Sequence, residues 1–79
     1  MSDLERLQSA FANALGIDAA RINDELAYQQ IPEWDSIAHM VLISEIEQEF
    51  DISLDTDEVI DLSSFAKAKE ILSKYNRTF

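Results

Sequence analysis

Trp34-Asp35-Ser36-Ile37-Ala38-His39-Met40 is the point where a long irregular segment becomes a helix. Asp35 has the side chain of an N-cap, a carboxylate that accepts from the free N–H groups of a first turn. Ser36 then falls at the first helical position, its hydroxyl at the positive end of the macrodipole. A phosphate ester on that hydroxyl would meet favourable backbone dipoles, although Asp35 would oppose its charge. By themselves Asp35 and Ser36 do no more than start a helix, as such residues commonly do. The rest of the chain decides whether they mean more.

From Ser36 the apolar spacing predicts a helix to about Phe50. His39, Leu42, Ile43, Ile46 and Phe50 gather on one face, which is the expected core face. The opposite face carries Ile37, Val41, Ser44 and Gln48, flanked by Met40 and Glu47. Its first turns are therefore apolar on both sides. Either the preceding loop covers Ile37, Met40 and Val41, or they form a docking surface rimmed by acids.

Asp35, Ser36 and His39 invite a catalytic-triad reading, which the geometry argues against. Triad residues converge from separate elements around an oxyanion hole and a substrate pocket. Here all three are local, and His39 points to the core side as a packed or partly exposed histidine. One histidine without cysteine is no basis for a metal site.

Upstream, Ser2 and Glu5 form a capping box, and Leu4, Leu7, Phe11, Ala14 and Leu15 follow at helical spacing as a core stripe. Gly16, the one glycine of the chain, ends this helix as its C′ residue, giving a helix over about residues 3–15. Residues 17–34 are long for a connection between helices. Ile17, Ile22, Leu26, Tyr28 and Ile31 are scattered through them as anchors that would pack the loop over the bundle. Pro32 pushes Ile31 toward extended geometry.

Downstream, the acids of residues 51–61 alternate like a calcium loop, but Thr56 stands at the sharp-turn position and Leu62 at the closing one. Leu62 has no oxygen ligand, so an EF-hand is rejected. Ile52, Leu54 and Leu62 read as anchors, and Thr56–Ile60 as a short helix capped by Asp55 or Thr56. Asp51, Asp55, Asp57, Glu58 and Asp61 crowd this segment, so mutual repulsion is expected to concentrate there and to respond to salt. Ser63 or Ser64 caps a last helix with Phe65, Ala68, Ile71, Leu72 and Tyr75 at helical spacing. Lys74 and Arg77 suit its C-terminal end.

Seventy-nine residues are expected to make one domain spanning 1–79. A chain this size buries about 60–65% of its unfolded surface. No cysteine is present, so a disulfide framework or thiol metal site is excluded. Sixteen acids against six bases give a net charge of −10. That argues against nucleic acid and anionic membranes as partners and favours basic patches on proteins. No stretch approaches membrane-spanning length and no leader pattern opens the chain, so no membrane insertion and a cytoplasmic location are expected. The fold expectation is an all-α four-helix bundle, three helices longer and the third short, with a long loop between the first two.

A serine at the start of helix II, a long first loop and a short third helix together resemble the acyl carrier protein family, with its peptidyl and aryl relatives. The markers are Leu15-Gly16-Ile17, Asp35-Ser36-Ile37 and Ile46-Glu47-Gln48-Glu49-Phe50, followed by the acidic stretch before Leu62 and the Ser63-Ser64 cap. The resemblance covers essentially the whole chain. It implies that Ser36 is modified by a phosphopantetheinyl transferase using coenzyme A. The resulting 4′-phosphopantetheine arm ends in a thiol that carries acyl or aminoacyl groups as thioesters. It also implies that Asp35 helps the transferase recognise the site, and that the protein is a substrate and shuttle rather than an enzyme. The implied partners are the transferase, an acyl- or aminoacyl-loading enzyme and downstream acyl-using enzymes, with the carrier itself a monomer.

This chain departs from fatty-acid-synthesis carriers around the motif. Glu33-Trp34 precede it where small residues are usual. Ile37 replaces leucine, and Ala38 and Val41 stand where acids are frequent. A more apolar partner surface at Ile37, Met40, Val41, Glu47 and Gln48 is expected, and with it a dedicated pathway rather than the housekeeping one. The alternative from another class is an unmodified acidic helical module that binds a partner through Ile37, Met40 and Val41.

Overall fold

The computed structural model describes residues 2–75. Four helices follow in order: α1 (Asp3–Leu15), α2 (Ser36–Phe50), α3 (Thr56–Asp61) and α4 (Phe65–Ser73). Among the described residues there is no strand, only an isolated bridge between Ala27 and Ser64. The all-α bundle with a short third helix is thus the observed fold.

Each helix begins where a side chain can satisfy its orphan amides. The Ser2 hydroxyl accepts from Glu5 N at 3.2 Å, and the Glu5 carboxylate reaches back to Ser2 N. Gly16 closes α1 at φ 67°, a left-handed conformation that costs glycine nothing. Asp55 caps α3 through a second capping box with Glu58, and Ser64 caps α4. The short helix runs one residue beyond the expected Ile60, to Asp61. The expected contribution of Arg77 to the end of α4 lies outside the described residues.

α1 packs chiefly on α2. Between them and α4 lie Leu7, Phe11, Leu42, Ile46, Phe50, Phe65 and Leu72, all sealed from solvent. Phe11 is the hub of an aromatic chain: its ring meets Phe65 edge-on at 5.0 Å and Trp34 edge-on at 5.4 Å. One expectation is corrected here. Leu4 shares the stripe of Leu7 and Phe11 but is 36% exposed, because it sits in the first turn at the open end of the bundle. Ala10, absent from the expected stripe, is buried instead.

The long first loop is pinned at several places. A 3₁₀ turn at Ala19–Arg21, capped by Asp18, interrupts it. Ile22 and Leu26 are buried, while Ile17, Tyr28 and Ile31 pack at the core's edge. Tyr28 N donates to Ser63 O at 2.8 Å and Phe65 N to Leu26 O at 3.0 Å, which staples the loop to the α3–α4 connection. Lys69 of α4 pairs with Asp24, and Arg21 with Glu33 at 3.2 Å. The loop therefore runs across the bundle as a fixed strap and leaves the outer face of α2 bare.

Several of the acids around α3 are held by specific partners. Asp55 and Glu58 hold each other's backbone amides, Glu58 also accepts from the Tyr75 hydroxyl, and Asp61 pairs with Lys67 at 3.3 Å. Asp51 and Asp57 remain exposed. An EF-hand loop is replaced by helix: Thr56–Asp61 is α3 itself.

Candidate functional site

Asp35 stands in extended geometry, and its Oδ1 accepts from Ala38 N at 2.8 Å. Its backbone carbonyl accepts from His39 N at 2.9 Å, the first helical bond of α2. Ser36 is therefore held at the first position of the helix, and the residue is exposed. The segment before it is rigid for a tertiary reason: Trp34, two residues upstream, is wholly buried among Phe11, Tyr28 and His39. A buried indole on one side and a capped helix on the other fix the place where the Ser36 hydroxyl meets solvent.

Glu33 belongs to the same support. Its backbone amide first, and the Arg21 guanidinium second, hold its carboxyl below the ordinary value of 4.5. The carboxylate thus ties the 3₁₀ turn to the segment that delivers Ser36.

His39 lies one turn after Ser36 and is half-buried. Trp34 Nε1–H donates to its Nδ1 at 3.0 Å, and its Nε2 lies 2.9 Å from Val59 O. An indole only donates and a carbonyl only accepts, so the ring is neutral with its proton on Nε2. It is a structural histidine with both nitrogens committed, not a base beside Ser36. Trp34 was given no role by sequence pattern. A large aromatic immediately before a helix cap was the available signal.

Beside this turn opens an apolar cleft of about 240 Å³ between α2 and α3, lined by Tyr28, His39, Val59, Ile60, Leu62 and Ser63. On the outer face of α2, Ile37 is 77%, Met40 63% and Val41 45% exposed, and Ile60 of α3 is 74% exposed. The loop does not cover these side chains. Gln48 is exposed further along the helix. Glu47 is differently placed: its Oε2 accepts from Leu54 N at 2.8 Å, and its backbone carbonyl closes the turn at Ile52 N.

An exposed hydroxyl on a rigid helix start, next to an apolar cleft and away from any covering segment, fits a covalently attached prosthetic arm. A family model described as the phosphopantetheine attachment site matches residues 5–72. An acyl carrier protein of Streptococcus thermophilus (strain CNRZ 1066) is 34% identical over 73 residues, which is 87% of this chain and 97% of that protein. The chain belongs to the acyl carrier protein family, whose members are carriers rather than enzymes. Its prosthetic group is a covalently attached 4′-phosphopantetheine. Family membership brings interaction with a phosphopantetheinyl transferase and with acyl-handling enzymes. No helix among the described residues is long and apolar enough to cross a membrane.

Proposed function

We propose that Ser36 is the residue that bears the arm, and that the whole of residues 1–79 acts as one carrier domain. The observation that carries this reading is the exposed Ser36 hydroxyl at the first position of α2, set between the Asp35 cap and the bare face of the helix. The arm supplies a terminal thiol on which acyl or aminoacyl groups ride as thioesters, a function that a chain without cysteine has no side chain to perform. The protein's own residues position it. Trp34 and Asp35 hold the helix start, and Asp35 stays exposed for recognition by the transferase. The base that activates the serine belongs to the transferase, so this chain is a substrate and shuttle, acting as a monomer in the cytoplasm.

The docking surface in this reading is Ile37, Met40 and Val41, extended by Ile60 and by Gln48, while Glu47 is largely spent on the turn at Leu54. An apolar surface of this kind supports a dedicated pathway rather than housekeeping fatty acid synthesis, because its partner must present an apolar patch and not only basic charge.

Incubation with coenzyme A, magnesium and a broad-specificity transferase tests the assignment by intact mass. A gain of one phosphopantetheine that disappears in Ser36→Ala is the expected result. A gain that persists in Ser36→Ala would move the site elsewhere. No gain with several competent transferases would favour the unmodified interaction module.

A further inference from the structure

α3 is held to the bundle in an unusual way for a helix: none of its residues is buried. Val59 packs at the core's edge, and polar contacts do the rest. The Tyr75 hydroxyl donates to Glu58, Lys67 pairs with Asp61 at 3.3 Å, and His39 Nε2–H donates to Val59 O at 2.9 Å. Among the described hydrogen bonds and ion pairs, His39's is the one that joins α2 to α3, across the cleft it helps to line.

The same imidazole accepts the Trp34 indole N–H at 3.0 Å, with the two rings stacked at 22° and 6.1 Å. Trp34 is fully buried, so its N–H has no water to turn to if this acceptor is lost, and an orphaned buried donor is costly. A second proton on the ring would sit on Nδ1, placing donor against donor. The ring would have to swing off the indole. It would then carry Val59 and α3 with it or release them, and in either case the cleft would change width.

The surroundings do not supply a compensating charge. The loop presents Tyr28, whose ring is 5.2 Å from the imidazole. On α2 itself Asp35 is exposed and caps the helix, and on α3 Glu58 is taken by Tyr75. Among the described contacts no carboxylate reaches the ring.

We propose that His39 is the positioning residue of the cleft beside Ser36: as a neutral ring it couples Trp34 to α3, and its protonation uncouples them and loosens α3. Only the link to carrier function rests on Ser36 bearing the arm. The coupling does not, and the test uses the unmodified chain so that the two readings fail separately.

Trp34 is the single tryptophan, so its emission reports on this contact directly. The expected result is a one-proton change in Trp34 emission as the unaltered chain is acidified. On the acid side, α3 amides should exchange roughly fivefold faster relative to those of Leu42 and Ile46, as the loss of one hydrogen bond implies. His39→Gln keeps an acceptor and a donor without a titrating proton, and should abolish the emission step while keeping α3 protected. A step that survives in His39→Gln, no step in the unaltered chain, or α3 and α2 opening together would each overturn the proposal. Imidazole nitrogen chemical shifts of the unaltered chain give a second measurement that needs no variant. A neutral ring protonated on Nδ1 rather than Nε2 would overturn it as well.

Discussion

Val41 and Leu42 are consecutive residues of α2 with opposite fates: Val41 is 45% exposed and Leu42 is wholly buried. One step along a helix turns the side chain by about 100°, enough to move it from the bare outer face into the core.

This pair separates docking from stability. Leu42→Ala should destabilise the fold by about 2–5 kcal/mol, through lost burial and the cavity left behind. Val41→Glu should leave the melting temperature near that of the unaltered protein while weakening acyl transfer to the cognate enzyme. Thermal melts beside a transfer assay decide it, and a Val41→Glu protein that melts as early as Leu42→Ala would show that the outer face is packed.

Glu47 is expected to matter for stability where its neighbour Gln48 does not. Its carboxylate holds the Leu54 amide at 2.8 Å and so fixes the turn that leads into α3. Removing that acceptor in Glu47→Ala should cost about 1.5–3 kcal/mol, the range for a hydrogen bond to a charged group. Glu47→Gln, which keeps an acceptor, should cost less, and Gln48→Ala close to nothing. Denaturant titrations of the three variants compare them.

Alkaline stability should depend on Tyr75. The Glu58 carboxylate that accepts its hydroxyl, with burial and the neighbouring charges of Glu58, Asp55 and Glu47, pushes the phenol up from 10.0 to about 12. The folded state therefore keeps this proton where the unfolded state has lost it. The contribution is complete below pH 10 and is lost as pH rises toward 12. Tyr75→Phe should flatten this alkaline decline in melting temperature. An unchanged decline would place its origin elsewhere.

The acid side carries the opposite sign at Glu33. Its carboxyl is held below 4.5 in the folded protein, by its own backbone amide and then by Arg21. Unfolding thus takes up a proton there, and the stabilisation present above that value is lost as pH falls below it. Glu33→Gln should show a shallower acid decline in melting temperature, and Arg21→Met should move in the same direction. Acid declines that superimpose on the unaltered protein would remove the Arg21–Glu33 tie from the account.

The division between what was readable and what was not follows from range. Ser2 with Glu5, Gly16, Asp35 and Ser64 set the helix limits through contacts three or four residues long, and such spacings are written in the chain order. The apolar periods of α1, α2 and α4 are equally local, so the all-α bundle, the helix start at Ser36 and the two faces of α2 were all legible. Repulsion among the acids of residues 51–61 was legible too, but only as a count. The partners that Glu58 and Asp61 find, Tyr75 and Lys67, come from elsewhere in the fold and cannot be read from spacing. Whether the first loop would cover Ile37, Met40 and Val41 depended on its path, which Ser63, Phe65 and Lys69 dictate from the far end of the chain. The same holds for Trp34 and His39. Nothing in a periodic pattern says that an indole in a long loop will be buried, or that one histidine will join it to a carbonyl twenty residues on. Local hydrogen bonds and apolar periods are properties of a segment, whereas these contacts exist only once the helices have packed and brought distant residues within reach.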